Sequence, residues 1–394
     1  MIKKIKYFVV FGLLIFTVNY SLSQVSVVVD PMANYTSIGN TVNVIVKVNN
    51  VINLRGYNII VRFDNSVIKF INATKGSFLS GNDFFGFQPI QSLVTDSVWL
   101  SQFKLGAPPV SGSGILFTLT FQGISNGVSR VYFSSIQLED GIDCTSMYGN
   151  VIVGALFANI NIFLQGPYNT STGNMNTSLN TSGYLPNSQP YNQSPWNYSG
   201  TESVPTGFFS AQTNIVDWVL VELRQSPTGA VVSRRAALLR NDGKILDCVD
   251  GVSNVIFTNI AAGNYYVVVR HRNHLVVMSA NAVTVNSNPP LYNFSTGLGQ
   301  YYGGDAKDFG NGVFGMYAGD IDGNGQLKYN GSGNDRSYIL VVLGGNQLGV
   351  LNGYYKEDIN MDGQVKYNGS LNDRSIILVN LSGNQLGLKI SNVP

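Results

Sequence analysis

Two stretches near the C-terminus carry oxygen-bearing side chains at every second position. In each stretch these side chains occupy positions 1, 3 and 5 of a loop, and glycine follows at position 6. The residues are Asp320, Asp322, Asn324 and Gly325 in the first copy and Asp358, Asn360, Asp362 and Gly363 in the second. A hard cation such as Ca²⁺ takes oxygen ligands from a loop with this spacing, and glycine allows the sharp turn around the ion. The sequence therefore predicts two calcium sites.

The next two positions of each loop have separate roles. Gln326 and Gln364 stand at position 7, where a calcium loop contributes a backbone carbonyl oxygen, so the side chain is not the expected ligand. Leu327 and Val365 stand at position 8, and we expect them to point into the core and couple the two loops. Positions 1, 3 and 5 of the two loops therefore supply six side-chain ligands, and position 7 supplies two backbone ligands.

The closing ligand departs from the usual pattern. A twelve-residue calcium loop ends with an acidic residue, but this chain has Gly331 and Gly369 at position 12. An acidic residue comes four residues later in both copies. We expect Asp335 and Asp373 to reach the ion across a longer loop.

The two copies are a tandem duplication. Residues 320–349 and 358–387 are identical at 22 of 30 positions. After each loop an apolar pattern ending in glycine predicts a short helix, which Asn334 and Asn372 are placed to cap. Asn, Asp and Gly also favour turns without any metal, and that alternative remains open.

Two calcium loops, each followed by a helix, resemble dockerin modules. The resemblance covers about 70 residues, matches positions 1, 3, 5 and 6, and departs at the closing ligand. It implies a Ca²⁺ cofactor and a protein partner. Helices this small bury little core, so we expect this block to fold poorly without calcium.

The first block, from residue 24 to residue 155, is written in strand patterns separated by Gly, Asn, Asp and Pro turns. That spacing predicts an antiparallel sandwich. Residues 54–70 and 112–121 resemble cohesin domains, in a strand that ends at an Asp-centred turn and in a later strand that begins with Gly and ends in Phe. The resemblance implies a nine-stranded jelly-roll-like sandwich related to carbohydrate-binding modules. Cohesins bind dockerins through one sheet face, and no contact residue is carried over.

The second block extends from residue 156 to residue 295. After a strand-like start it contains an uncharged tract rich in Asn, Ser and Tyr at residues 166–201, and further strands follow. Its aromatic residues, Trp196 and Tyr198 among them, either cover a core or stack on sugar rings. The later strands and the Asp242-Gly243 turn predict a second β-sandwich. His271 and His274 are the only histidines, and we expect a turn in which they bond to the backbone.

The N-terminal 23 residues have the pattern of a signal peptide. Lys3, Lys4 and Lys6 precede an apolar run that is short for a membrane span, and small residues follow at once. A membrane anchor is the alternative. We expect a mature chain that starts near Gln24, has no further transmembrane segment and is secreted, extracellular or at the cell surface.

Composition excludes one class of partner. The chain has a formal charge of +2 and only 12% charged residues, so electrostatic binding of nucleic acid is not expected. Cys144 and Cys248 are too few for a disulfide framework, and whether they pair stays open.

The predicted architecture is mainly β: two β-sandwich domains, at 24–155 and 156–295, followed at 296–394 by a small calcium-loop-plus-helix module. No catalytic motif is found, so we expect no enzyme; an unrecognised hydrolase would need a cluster that the sequence does not indicate. The leading hypothesis is a non-catalytic protein for adhesion or assembly, with head-to-tail association between copies. The alternative is carbohydrate binding in an extracellular polysaccharide-degrading system.

Overall fold

The computed structural model describes residues 24–79, 84–85, 90–91, 96–104 and 108–394. The predicted signal segment 1–23 lies outside these residues. Within the described part, no helix is long and apolar enough to cross a membrane.

The first block forms two packed sheets. Its strands are β1 (Ser26–Val29), β2 (Ala33–Thr36), β3 (Thr41–Leu54), β4 (Gly56–Arg62), β5 (Ile68–Lys75), β6 (Phe84–Phe85), β7 (Ile90–Gln91), β8 (Ser97–Lys104), β9 (Val110–Gly123), β10 (Gly127–Leu138), β11 (Thr145–Met147) and β12 (Gly149–Val153), with a 3₁₀ turn at Glu139–Gly141. One sheet has the order β11-β1-β3-β9-β5 and the other β2-β12-β10-β4-β8-β6, with β7 also paired to β8.

The alternation of side chains explains this sandwich. Val44, Val46 and Val48 of β3 are fully buried, while the residues between them are not, so one face of the strand enters the core. The first two strands, β1 and β2, lie in different sheets. Pro31, which has no amide to donate to a ladder, separates β1 in one sheet from β2 in the other.

The second block is built around one long sheet. Its strands are β13 (Leu156–Ala158), β14 (Ile160–Asn161), β15 (Tyr168–Asn169), β16 (Asn174–Met175), β17 (Ile215–Arg224), β18 (Val231–Arg240), β19 (Ile245–Asp247), β20 (Val255–Phe257), β21 (Gly263–His271), β22 (His274–Met278), β23 (Val283–Val285) and β24 (Tyr292–Asn293). The main sheet has the order β19-β18-β17-β21-β22, with β23 also paired to β21. The predicted Asp-Gly turn joins β18 to β19, with Gly243 at φ +89°.

The Asn-rich and Tyr-rich tract packs against this sheet. It contains the helix α1 (Ser178–Thr181), and the helix α2 (Phe208–Ala211) follows it. The Tyr191 hydroxyl is fully buried and donates to the Trp218 carbonyl at 2.8 Å, and Trp218 Nε1 donates to the Pro186 carbonyl at 2.9 Å. Strand β17 is therefore buried along its whole length.

The third block contains the duplicated loops. Its elements are β25 (Lys307–Gly310), β26 (Val313–Gly315), β27 (Gln326–Lys328), α3 (Asp335–Val342), β28 (Val350–Asn352), β29 (Gln364–Lys366), α4 (Arg374–Asn380) and β30 (Leu388–Ile390), after 3₁₀ turns at Phe294–Thr296, Leu298–Gln300 and Tyr302–Gly304. Tyr301 and Met316 belong to the core of the second block, whereas the core of the loops begins at Ala318. The chain is thus mainly β, as predicted.

Both cysteines are free thiols. Cys144 is half-buried in the first block and Cys248 is buried in the second. Burial is the main cause that raises the pKa of each thiol, so both stay protonated at neutral pH. No disulfide therefore links the two blocks, and each depends on hydrophobic packing for its stability.

Candidate metal centre

The first loop gathers three carboxylates. Asp320, Asp322 and Asp335 each present an oxygen, and these oxygens lie within 4.8 Å of one another. Asp320 and Asp335 are almost fully buried. Asn324 is exposed, and its Oδ1 accepts from the Gln326 amide at 2.8 Å. The three predicted carboxylate ligands of this loop are therefore brought together, while the amide of Asn324 donates to Asp322 Oδ2 at 2.9 Å.

The chemistry of this cluster fits a cation. Asp320 Oδ2 accepts from the Gly325 amide at 3.0 Å, but its buried Oδ1 has no hydrogen-bond partner among the described residues. Burial, reinforced by the charge of Asp335, raises the pKa of Asp320 to about 8. Burial likewise raises the pKa of Asp335 to about 7, against the effect of two amide hydrogen bonds. A divalent ion would offset both the desolvation and the repulsion.

The second loop repeats part of this arrangement with two ligand types exchanged, but among the described residues three carboxylate oxygens within 4.8 Å of one another are found in the first loop alone. Asp358 Oδ2 accepts from the Gly363 amide at 2.9 Å, as Asp320 does from Gly325. Position 3 is the amide Asn360 and position 5 is the carboxylate Asp362, so each loop offers three carboxylates and one amide. Burial raises the pKa of Asp358 to about 6.

The displaced closing acids occupy equivalent places in the two copies. Asp335 accepts from the amides of Ile321 and Lys328, both at 2.9 Å. Asp373 accepts from the equivalent amides of Ile359 at 2.7 Å and Lys366 at 2.8 Å, and burial raises the pKa of Asp373 to about 8. The four-residue displacement therefore still returns an acid to the start of the loop.

The helix starts deliver these acids. Asn334 is the N-cap of α3, and its side chain accepts from the Ser337 amide at 3.0 Å, as the sequence predicted. Asn372 makes the equivalent bond to the Ser375 amide at 3.1 Å. Because each cap fixes the first helical turn, Asp335 and Asp373 have a fixed direction toward their loops.

Gln326 and Gln364 begin the short strands β27 and β29, and Leu327 and Val365 are fully buried in one core. These strands do not pair with each other. Strand β27 pairs with β30, after the second helix, and β29 pairs with β28, after the first. The expectation that Leu327 and Val365 at position 8 point inward is confirmed. The two loops are coupled, however, by pairing between each loop strand and the strand that follows the helix of the other copy. Each copy therefore pairs a strand with a strand of the other copy.

The second loop is docked on the second block. Met361 has φ +59° and is buried in the core of that block, at the repeat position that Gly323 occupies in the first loop. Asn273 Nδ2 donates to the carbonyl oxygens of Lys356 at 3.1 Å and Asp358 at 2.7 Å. Sequence reasoning missed this contact, although the Gly323 to Met361 difference between copies was its signal.

A buried polar network lies beneath this contact. His271 Nε2 lies 3.1 Å from Asp217 Oδ2, and Arg272 Nε donates to the same oxygen at 2.9 Å. His274 Nε2 accepts from the Gly166 amide at 3.2 Å. The expectation of imidazoles bonded to the backbone thus holds for His274, while His271 pairs with a distant carboxylate. Burial is the main cause that lowers the pKa of both histidines.

The module also exposes apolar side chains in equivalent pairs. We call them the repeated apolar set, and each member is at least half exposed: Val341, Leu348 and Val350 in the first copy and Val379, Leu386 and Leu388 in the second. Exposed apolar side chains that form a contiguous patch mark sites of protein association, and this set supplies six such side chains in one small module.

The first sandwich has an open strip on its outer surface. Ile60 of β4 and Trp99 of β8 are directly paired across the two strands, and both side chains face away from the core. Trp99 is 46% exposed, and its Nε1 donates to Asn58 Oδ1. An exposed tryptophan on a rigid sheet is a frequent anchor in protein interfaces.

Comparison with known proteins bears on this first sandwich. Residues 25–141 match the family model described as the cohesin domain. The match supports a cohesin domain in the N-terminal region. Cohesin domains are non-catalytic modules of protein assembly of the cohesin–dockerin type.

Solved structures similar to the cohesin domain each align with 33% of this chain. One is a non-cellulosomal cohesin from Archaeoglobus fulgidus, at 17% identity, 91% coverage of that chain and a TM-score of 0.28. A type I cohesin–dockerin complex from Clostridium thermocellum shows 17% identity, 93% coverage and a TM-score of 0.29. A type I cohesin from Pseudobacteroides cellulosolvens shows 16% identity, 92% coverage and a TM-score of 0.28. Comparison with curated proteins finds no match.

Proposed function

We propose that this chain is a secreted, non-catalytic assembly protein whose C-terminal module binds two Ca²⁺ ions and associates with the cohesin domain of another copy. The proposed domain division is a signal peptide at 1–23, the cohesin domain at 24–155, a second β-domain at 156–295 and a dockerin-like module at 296–394. Adhesion at the cell surface would follow from the same contacts.

The observation that supports the proposal is that one chain contains a cohesin domain and a C-terminal module that exposes apolar side chains in equivalent pairs. The cohesin domain offers the open strip around Ile60 and Trp99. The module offers the repeated apolar set, exposed on and after the helices that follow the two loops. A contact between unlike surfaces of identical molecules is heterologous, so it builds chains or rings.

Calcium has a structural role in this proposal. Asp320, Asp322, Asn324 and Asp335, with the Gln326 carbonyl, would hold one ion, and the equivalent residues 358, 360, 362, 373 and 364 would hold the other. Each ion would bind the start of a loop to the start of its helix, and so would fix the segment that bears Val341 or Val379. Without calcium, buried and repelling carboxylates would loosen these segments.

The aromatic tract does not favour carbohydrate binding at Trp196 and Tyr198. Trp196 packs edge-to-face on Tyr191, with ring centres 5.3 Å apart. The Tyr198 hydroxyl donates to Glu202 Oε1 at 2.6 Å. Both rings are used in packing, which supports the interpretation that this tract covers a core.

The proposed association is tested on residues 24–394 by sedimentation velocity over a range of protein concentrations. With excess calcium, the mean mass is expected to rise with concentration, and with chelator the protein is expected to sediment as a monomer. A monomer at every concentration under both conditions would refute self-association. Calorimetric calcium titration separates this result from a failure of the metal sites.

A further inference from the structure

A polar cleft lies between the cohesin domain and the second β-domain. Its volume is about 590 Å³, within the size range of small-ligand sites, which occur preferentially at domain junctions. Strand β10 begins at the packed junction between the two domains and continues along the cleft. Val128 packs at the junction, Arg130 and Tyr132 line the cleft, and Tyr132 is 41% exposed.

The cohesin-domain wall carries an amide without a partner. Asn150 pairs with Arg130 across β12 and β10, and it faces outward because its neighbour Val151 enters the sandwich core. Asn150 is only 6% exposed and lines the cleft. Its side-chain amide makes no hydrogen bond to any residue that the structure describes. Its amide atoms are not among the fully enclosed atoms that lack a partner, so they remain open to donate to and accept from a molecule that enters the cleft.

The opposite wall carries a carboxylate of which one oxygen is already paired. Glu202 lines the cleft with a side chain that is 7% exposed, and its Oε1 accepts from the Tyr198 hydroxyl at 2.6 Å and from Arg235 Nη1 at 3.4 Å. Its Oε2 has no hydrogen-bond partner among the described residues. Arg130 crosses to this wall, where its Nη2 donates to Ser203 Oγ at 2.9 Å. The two domains therefore build one site together.

The charges of the cleft select the class of ligand. Its charged residues are two acids, Asp64 and Glu202, and two bases, Arg130 and Arg235, and Arg235 is already paired with Asp247 at 2.7 Å. This balance does not favour an anion or a cation. Carboxylate acceptors, amide and guanidinium donors and an exposed tyrosine ring suit a ligand with many hydroxyl groups and an apolar face.

We propose that this cleft binds a neutral oligosaccharide, with Asn150 and Glu202 bonding to hydroxyl groups and the Tyr132 ring packing against a sugar face. The site goes beyond the proposed self-association and uses different residues. Loss of one function therefore leaves the other measurable.

The test is calorimetric titration of residues 24–394, in excess calcium, with cellohexaose, xylohexaose, mannohexaose and laminarihexaose, and with inorganic phosphate as the anionic probe. At least one hexasaccharide is expected to bind. Asn150→Ala and Tyr132→Ala are each expected to weaken that binding roughly tenfold, as the loss of one hydrogen bond or one ring contact does. Tyr132→Phe keeps the ring and is expected to bind as the unaltered chain does.

Asn43→Ala is the matched control, because Asn43 is an exposed amide on the other sheet of the same sandwich. Its binding is expected to be unchanged. Thermal melting shows whether each variant is folded, and Tyr132→Ala, at an exposed position, carries the test if Asn150→Ala does not fold. Binding of no hexasaccharide, binding of phosphate alone, or equal binding by both Ala variants and the unaltered chain would overturn the proposal.

Discussion

Asp335 accepts a hydrogen bond from the Ile321 amide at 2.9 Å, so the first residue of a helix is bonded to the second residue of the loop before it. Asp373 and Ile359 repeat this bond at 2.7 Å in the second copy. An acid displaced from position 12 to position 16 therefore still closes the loop. This relationship is the basis for assigning both acids to calcium.

Removing one closing acid should remove one calcium ion. Asp335→Asn and Asp373→Asn each replace a buried carboxylate by a neutral amide, so calorimetry should show one strong site in place of two. Asp308→Asn, an exposed acid outside both loops, is the control and should retain two sites. Two unchanged sites in either loop variant would show that these acids are not ligands.

Met361→Gly should destabilise the docked module. The change removes a side chain buried in the second block but relieves a left-handed backbone at φ +59°. Loss of a buried methionine costs more than the relief returns, so we expect a net loss of about 1 to 3 kcal/mol in the free energy of unfolding. Urea unfolding in calcium measures it, and a gain in stability would contradict the docking role.

Leu371→Gly is the matched change at an exposed position. Leu371 has φ +57° and is 70% exposed, and the first copy has Gly333 at this position with φ +63°. Here relief of the backbone is not offset by lost burial, so stability should rise by about 1 kcal/mol. A loss of stability in the same urea measurement would show that this leucine packs against the fold.

Acid should weaken the docking of the second loop on the second block, which covers His271 and His274. Burial lowers the pKa of His271 and His274 beside Asp217, Arg272 and Tyr354, so the folded state binds fewer protons than the unfolded state. The contribution of these histidines to stability should therefore fall as pH drops below about 6.5, by up to about 1.4 kcal/mol per pH unit for each histidine. Urea unfolding of His274→Gln should show a smaller slope, and an equal slope would contradict a neutral His274.

The local parts of this structure could be predicted from sequence. Glycine at position 6 and Asn before the helix act within a few residues, and the left-handed Gly325 and Gly363 and the Asn334 cap are found as the pattern predicts. Strands β3 and β9 also follow directly from their alternating pattern. These features depend on neighbouring residues, which a sequence displays.

Long-range contacts could not be predicted. Asp217 lies 54 residues before His271, and nothing local indicates that they meet. The cleft between Asn150 and Glu202 forms only when two domains pack. The contact of Met361 is the one that left a signal in the sequence, because the first copy has Gly323 at the equivalent position.

Mixing two half-defective variants tests the central claim most directly. Trp99→Ala should disable the cohesin domain, and Val341→Lys with Val379→Lys should disable the module, each by on the order of 2 kcal/mol of binding free energy. In calcium, sedimentation should show each variant alone as a monomer and their mixture as a one-to-one dimer, which dissociates in chelator. A mixture that remains monomeric while the unaltered chain assembles would contradict head-to-tail association through these surfaces.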